Sequence, residues 1–278
     1  VPELPEVETI RLQLKGRVVG RRIVAAWGFP SANFRDAVRA VGSRIVDLRR
    51  RGKYLLAALG SSQQADRGDE APTQELVLHL GMTGRLGVVP SCDLDRDAAH
   101  LRAWWELDDA TAVTFHDVRR FGRVAVLPAG DHHSLATLHH LGPEPFDDAF
   151  TGRSLRSHLR GRRAVKTVLL AQRAVAGVGN IYADEALWSA GVDPRTRRLG
   201  PERAERLRDA VREVLADGLA HGGTTLRDYR DAVGGTGSHQ DSLRCYGRGG
   251  LPCLACGTAL RSTVLDGRRT TWCPGCQR

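Results

Sequence analysis

Cys253-Leu254-Ala255-Cys256 and Cys273-Pro274-Gly275-Cys276 are two Cys-x2-Cys turns with sixteen residues between them. Zinc takes four thiolates in a tetrahedron, and each such turn presents two sulfurs on one knuckle. The spacer, Gly257–Trp272, is long enough for a single β-hairpin. No apolar run has the length of a membrane span, and the N-terminus carries no basic-then-apolar signal pattern. A cytoplasmic location is therefore expected, where thiols stay reduced and this spacing reads as metal rather than disulfide. With all four positions filled by protein sulfur, one Zn2+ is expected in a structural role. The hairpin carries Arg261, Arg268 and Arg269, and a rigid finger bearing arginines suits a phosphate or a DNA groove. The plain alternative is that these arginines only keep the surface soluble. Cys92 and Cys245 fall outside the pattern and read as ordinary thiols.

Charge extends the same picture upstream. The 278 residues carry a formal charge of +9, but residues 1–150 hold 19 basic and 20 acidic side chains against 22 and 12 in residues 151–278. A net of −1 followed by +10 points to a polyanion partner for the second half, since clustered cations displace counterions from phosphate, with a solvated basic surface as the plain alternative. A hydrophobic share of 41% is ordinary for a chain that buries a real core.

Residue periodicity divides the chain. Val7, Ile10, Leu14 and Val18 recur at helical spacing. Short β-type runs follow at Arg22–Trp27, Arg44–Asp47, Tyr54–Leu59, Leu76–Leu80, Ala112–Phe115 and Val124–Leu127, as in an antiparallel sandwich or barrel. Ser61–Thr73 is polar and turn-rich and reads as a solvated loop. Helical patterns then cover Ser154–Leu159, Val165–Ala171, Asn180–Ala190 and Arg203–Ala220. The expected division is a β domain at 1–127, a linker at 128–145, a helical DNA-binding domain at 146–240 and a zinc finger at 241–278.

Several ordered motifs run through this layout. They are Val1-Pro2-Glu3-Leu4-Pro5-Glu6-Val7-Glu8-Thr9, Arg51-Gly52-Lys53-Tyr54-Leu55, and His79-Leu80-Gly81-Met82-Thr83-Gly84. Asp117-Val118-Arg119-Arg120-Phe121-Gly122, Gly177-Val178-Gly179-Asn180-Ile181-Tyr182-Ala183-Asp184-Glu185 and Gly222-Gly223-Thr224-Thr225-Leu226 follow. Together with the four-cysteine hairpin, and in the same order, they resemble the bacterial formamidopyrimidine-DNA glycosylases along the whole chain. The resemblance implies an α+β multidomain fold: an N-terminal β-sandwich, then a helix–two-turn–helix domain with a zinc-finger β-hairpin. It also implies a monomer acting on damaged double-stranded DNA in base excision repair, as a bifunctional glycosylase and abasic-site lyase.

The residues suit that chemistry. A secondary amine attacks a sugar C1′ to form an iminium that drives elimination, and only an N-terminal proline offers one. Pro2 fits if residue 1 is removed. Residue 1 is Val and the chain's single Met is Met82, so Val1 is read as a GTG start translated literally, with the inserted Met trimmed before Pro2. Glu3 is the natural general acid for the departing base, although a carboxylate at a helix N-terminus also has a purely structural reading. Glu6 stands close enough in sequence to support the same site. Only three lysines occur, Lys15, Lys53 and Lys166. The resemblance assigns Lys53 to proton transfer and lesion contact, Lys166 to a phosphate or lesion contact, and Arg268 on the hairpin to the catalytic set at a backbone-contact position. His79 matches a further backbone-contact position. Met82, Arg119 and Phe121 match the trio that fills the gap left by an extruded nucleotide, for which a thioether, a guanidinium and a flat ring are apt. Core packing is the plain alternative for Met82 and Phe121. Asn180 reads as a helix cap whose neighbouring amides face a phosphate.

One stretch departs from the family. In Gly234–Cys245, where an aromatic often covers the lesion, Ser238 and His239 take the equivalent positions. Oxidised purines (8-oxoguanine, formamidopyrimidines) remain the expected substrates, with cleavage by β,δ-elimination. An endonuclease VIII-like enzyme for oxidised pyrimidines is opposed by the Leu4-Pro5 opening and the complete trio. A non-catalytic damaged-DNA-binding protein would follow if Val1 were retained.

Overall fold

The computed structural model describes residues 2–61, 71–159, 161–226 and 229–278. Val1 and residues 62–70 of the expected loop Ser61–Thr73 lie outside these. The chain forms two compact units. One comprises Val1–His139 and Gly222–Gly237, the other His140–His221 and Ser238–Arg278. Neither is continuous in sequence, so the linear division at 127, 145 and 240 does not contain the return of Gly222–Gly237 to the first unit.

In the first unit, helix α1 (Leu4–Val18) starts with Pro5 in its first turn, where a missing N–H costs nothing, and it buries Val7, Ile10, Leu14 and Val18 as the spacing predicts. Eight strands follow: β1 (Ile23–Gly28), β2 (Arg44–Arg51), β3 (Tyr54–Gly60), β4 (Gln74–His79), β5 (Gly84–Pro90), β6 (Leu101–Leu107), β7 (Thr111–Asp117) and β8 (Arg123–Pro128). They form two antiparallel four-stranded sheets, in the orders β1-β6-β7-β5 and β2-β3-β4-β8. Leu55, Ala57, Leu76 and Leu78 of one sheet share a core with Leu86, Trp105, Val113 and Phe115 of the other. Successive side chains alternate between the two faces of a strand, and this alternation directs each of these residues inward. The short helix α2 (Ala136–His139) closes this part of the chain.

Two of the strands are absent from the sequence reading. Strand β5 is punctuated by Gly84, Gly87 and Pro90, which read as turn residues. Gly84 is nevertheless required, because a Cβ there would lie 2.2 Å from the Leu80 carbonyl oxygen. Strand β6 hides behind Arg102, a cation buried to 7% exposure whose Nε donates to the Asp117 carbonyl at 2.9 Å. Only the tertiary partner makes that burial tolerable.

In the second unit, α3 (Gly152–His158), α4 (Val165–Leu170), α5 (Asn180–Ser189) and α6 (Pro201–Ala220) are followed by a hairpin of β9 (Arg261–Leu265) and β10 (Arg268–Trp272). Helix α3 begins two residues before its expected start because Thr151 and Ser154 form a capping box. Helix α6 begins at Pro201 for the same reason that α1 tolerates Pro5. Helices α5 and α6 approach so closely at Gly218 that a Cβ there would sit 2.6 Å from the Tyr182 ring. No helix among the described residues is long and apolar enough to cross a membrane.

Candidate functional site

Pro2 and Glu3 lie buried at the N-terminus of α1, with Glu3 only 2% exposed. The Glu3 backbone N–H donates to Glu6 Oε2 at 2.7 Å, while Glu6 Oε1 accepts from the Thr224 N–H at 2.6 Å. One buried carboxylate thus holds both the chain's first helical cap and the returning segment. Glu6 therefore has a larger part than its sequence position reveals, and a capping-box spacing is the signal for it.

The β2–β3 turn presents Lys53 beside Gly52, whose φ of +57° lies in the left-handed region that a tight hairpin needs. Arg50 fastens this turn to α1, donating to Glu8 Oε2 at 3.0 Å and to the Gly52 carbonyl at 2.9 Å. On successive strands Tyr54 pairs with His79, and His79 with Arg123. The His79 ring lies 4.6 Å from that of Tyr54, and its Nδ1 accepts from the Gly81 N–H at 3.2 Å. Burial, reinforced by Lys53 and Arg123, pushes His79 down to about 4. At neutral pH the imidazole is uncharged, and with Nδ1 accepting, its proton sits on Nε2 as a donor.

Met82, Arg119 and Phe121 come together on the loops that follow β4 and β7. Arg119 Nη1 approaches Met82 Sδ at 3.3 Å, and the guanidinium lies 4.8 Å from the centre of the Phe121 ring. Phe121 is 53% exposed, so core packing does not explain it. Asp117 organises both loops, a role unmarked in its motif. Fully buried, it accepts from Thr83 Oγ1 at 2.5 Å, the Gly122 N–H at 2.7 Å and the Arg119 N–H at 3.2 Å. Gly81 completes the contact, since a Cβ there would meet the Phe121 and Gly122 backbone at 2.5–2.6 Å.

In the second unit the helix-cap expectation for Asn180 needs correcting, and Lys166 has an internal setting. Lys166 is not at the surface. It is 0% exposed, pairs with Asp184 at 2.6 Å, and donates to the Arg269 carbonyl and Thr270 Oγ1 at 2.9 Å each. With two donors given to the hairpin and its charge set against Asp184, the ammonium is placed as an internal strut. Asn180 is the first residue of α5 rather than its cap, which is Gly179. Its Nδ2 donates to the same Arg269 carbonyl at 3.0 Å. Both residues thus fix the backbone beside Arg268, which is itself exposed on β10. Burial pushes Asp184 up to about 6 against the opposing pull of Lys166, and its Oδ2 accepts from the Thr271 N–H at 3.0 Å. The neighbouring Glu185 accepts from the backbone N–H groups of Arg244, Cys245 and Tyr246 at 2.6–2.9 Å. His239 turns inward, 3% exposed, stacked 5.3 Å from Tyr182 with Nε2 at 3.2 Å from Asp217.

The sulfurs of Cys253, Cys256, Cys273 and Cys276 all lie within 4.8 Å of one another, with pairs at 3.9 and 3.4 Å. Tetrahedral zinc with Zn–S near 2.3 Å requires S···S distances of about 3.8 Å, so the cluster fits one ion with no open position. Trp188 Nε1 donates to Cys253 Sγ at 3.3 Å, a neighbouring contact of the kind that orients a ligand. Chelating the zinc is expected to collapse the hairpin and weaken duplex binding by about tenfold or more, because folding of so small a module is tied to its metal. Tryptophan fluorescence, through Trp188 and Trp272, reads the collapse directly.

A two-sheet unit with a buried proline and acid at a helix N-terminus, and a helical unit closed by a four-cysteine hairpin, define a helix–two-turn–helix zinc-finger protein. Comparison with known proteins agrees segment by segment. Residues 1–124 match the formamidopyrimidine-DNA glycosylase N-terminal domain, 141–230 the formamidopyrimidine-DNA glycosylase H2TH domain, and 250–278 the zinc finger found in FPG and IleRS. A formamidopyrimidine-DNA glycosylase of Stenotrophomonas maltophilia is 43% identical over 291 residues, covering 100% of both chains. That of Deinococcus radiodurans is 40% identical over 281 residues, covering 100% of this chain and 97% of its own. The crystal structure of the MutM (Fpg) protein from Thermus thermophilus matches with a TM-score of 0.87 at 43% identity, covering 99% of this chain and 98% of that one. A Lactococcus lactis FPG mutant in complex with Fapy-dG containing DNA matches with a TM-score of 0.86 at 30% identity over 100% of both. The chain belongs to the formamidopyrimidine-DNA glycosylase family.

Proposed function

We propose that this protein excises oxidised purines from damaged double-stranded DNA in base excision repair and cleaves the strand at the resulting site. The observation that carries the reading is the placement of Pro2 and Glu3, buried together at the head of α1 under the Glu6 bridge. With residue 1 removed, the Pro2 amine attacks C1′ of the extruded nucleotide, Glu3 supplies the proton as the base departs, and the iminium drives β- and then δ-elimination. Lys53 and Arg268 serve the proton transfers and the flanking phosphates. Neutral His79 donates through Nε2 to the backbone, and the Met82, Arg119 and Phe121 group occupies the vacated stack. The bound zinc supplies no chemistry, and its four ligands hold the hairpin that carries Arg268. The enzyme would act as a monomer at the nucleoid, where its duplex substrate is found.

Borohydride reduction during reaction with an 8-oxoguanine:cytosine duplex tests this. A covalent adduct mapped to Pro2 is the expected result. Tight binding with no adduct, on this duplex and on one bearing an abasic site, would return the protein to the non-catalytic reading.

A further inference from the structure

After α6 the chain returns to the first unit at Gly222–Gly237. That part is fastened along one face of α1. Glu6 accepts from the Thr224 N–H at 2.6 Å. One turn on, Thr9 meets the buried Tyr229 phenol, which also points at the Glu6 and Gly222 carbonyls at 3.4 and 3.3 Å. Two turns on, Gln13 makes a two-point contact: Nε2 donates to Asp231 Oδ2 and Oε1 accepts from the Ala232 N–H, each at 2.9 Å. Positions 6, 9 and 13 share a helix face. Asp231 is committed on its other oxygen as well, accepting the Val233 and Gly235 N–H groups at 3.0 and 2.6 Å.

We propose that Gln13 is a positioning residue for base excision: its paired contact with Asp231 and Ala232 seats the returning segment on the helix whose N-terminus bears Pro2 and Glu3, and so presses the damaged base into place. The proposal rests on the function given above. Gln13 lies roughly 15 Å along the helix from Glu3 at about 1.5 Å per residue, too far to touch the reacting atoms. Its effect must pass through the segment. An abasic site has no base to seat, so its cleavage should be indifferent to Gln13, whereas excision of a modified base should not.

The test is Gln13→Glu, which sets a carboxylate against Asp231, and the double variant Gln13→Glu with Asp231→Asn. In the double variant the new amide donates to the carboxylate at position 13 while its oxygen still accepts from Val233 and Gly235, so the pair is restored with reversed polarity. Single-turnover excision of 8-oxoguanine is expected to fall about tenfold or more in Gln13→Glu, with abasic-site cleavage within about twofold of the native rate. Excision in the double variant should recover to within about threefold. Amide hydrogen exchange at residues 229–235 should quicken in the single variant and slow again in the double. Native excision in Gln13→Glu, a parallel loss of both activities, or no recovery in the double variant would overturn the proposal. If the native protein cleaves abasic sites but removes no oxidised purine, the substrate reading fails instead, and unchanged exchange at 229–235 in Gln13→Glu would then overturn the seating as well.

Discussion

Glu3→Gln should abolish base excision while sparing strand cleavage at a preformed abasic site. The substitution keeps the size of the side chain and leaves untouched the Glu3 N–H to Glu6 bond, which is a backbone contact. What it removes is the carboxyl proposed above as proton donor, in a position closed to water at 2% exposure. Expelling a purine requires protonation as the glycosidic bond breaks, and a positioned acid contributes about 10²–10⁴ in rate. An abasic sugar already opens to an aldehyde that an amine attacks without such help. Single-turnover excision on an 8-oxoguanine duplex should therefore drop by about three orders of magnitude, against a change of a few-fold on abasic DNA. Equal losses on both substrates would make Glu3 a structural cap of α1 and no more.

The second large effect concerns stability. Lys166→Met leaves Asp184, 1% exposed, without its cation. Breaking a buried pair by removing one partner costs about 3–5 kcal/mol, because the remaining charge is stranded. The pH dependence follows from the direction of the shift. Burial already pushes Asp184 up to about 6 with Lys166 present, and without it the folded-state value climbs further. A carboxyl whose folded value exceeds its unfolded one favours the native state at low pH and loses that advantage as pH rises through the folded value. The deficit of Lys166→Met should thus be smaller near pH ~5 than near pH ~8 in denaturant melts. Replacing both residues, Lys166→Met with Asp184→Leu, should recover much of it, since a buried pair and well-packed apolar groups are often equivalent. A surface phosphate ligand would behave oppositely, leaving the melt unchanged and lowering the salt dependence of DNA binding by about one ion.

Lys166 and Glu3 mark the difference between what local spacing and long-range packing each settle. The four-cysteine cluster was legible because metal geometry sets the ligand spacing, and α1 because its apolar residues recur on one face. The loops that carry Met82, Arg119 and Phe121 were legible as motifs, and polar and glycine neighbours favoured exposure of Phe121 against the burial of Phe115, but what holds it out lay beyond its neighbours. That outcome rests on Asp117, whose carboxylate turns three donors inward and so directs the side chains of its own loop outward. Strand β6 was lost for a related reason. Arg102 breaks the alternation on which a strand is recognised, and its acceptor, the Asp117 carbonyl, is fifteen residues away.

Family resemblance marked Pro2, Glu3 and the Met82, Arg119 and Phe121 group, while residue spacing alone was enough for the metal site, the helical face of α1 and the order of sheets before helices. Each depends on neighbours within a few positions, which the backbone converts directly into geometry. It took the folded chain to make Lys166 an internal strut, to turn His239 inward, and to bring Thr224, Tyr229 and Asp231 against α1. A charged or polar side chain is stable either in water or against a buried partner. Which of the two it meets depends on residues such as Asp184, Asp217 and Gln13, brought near by the folding of the whole chain.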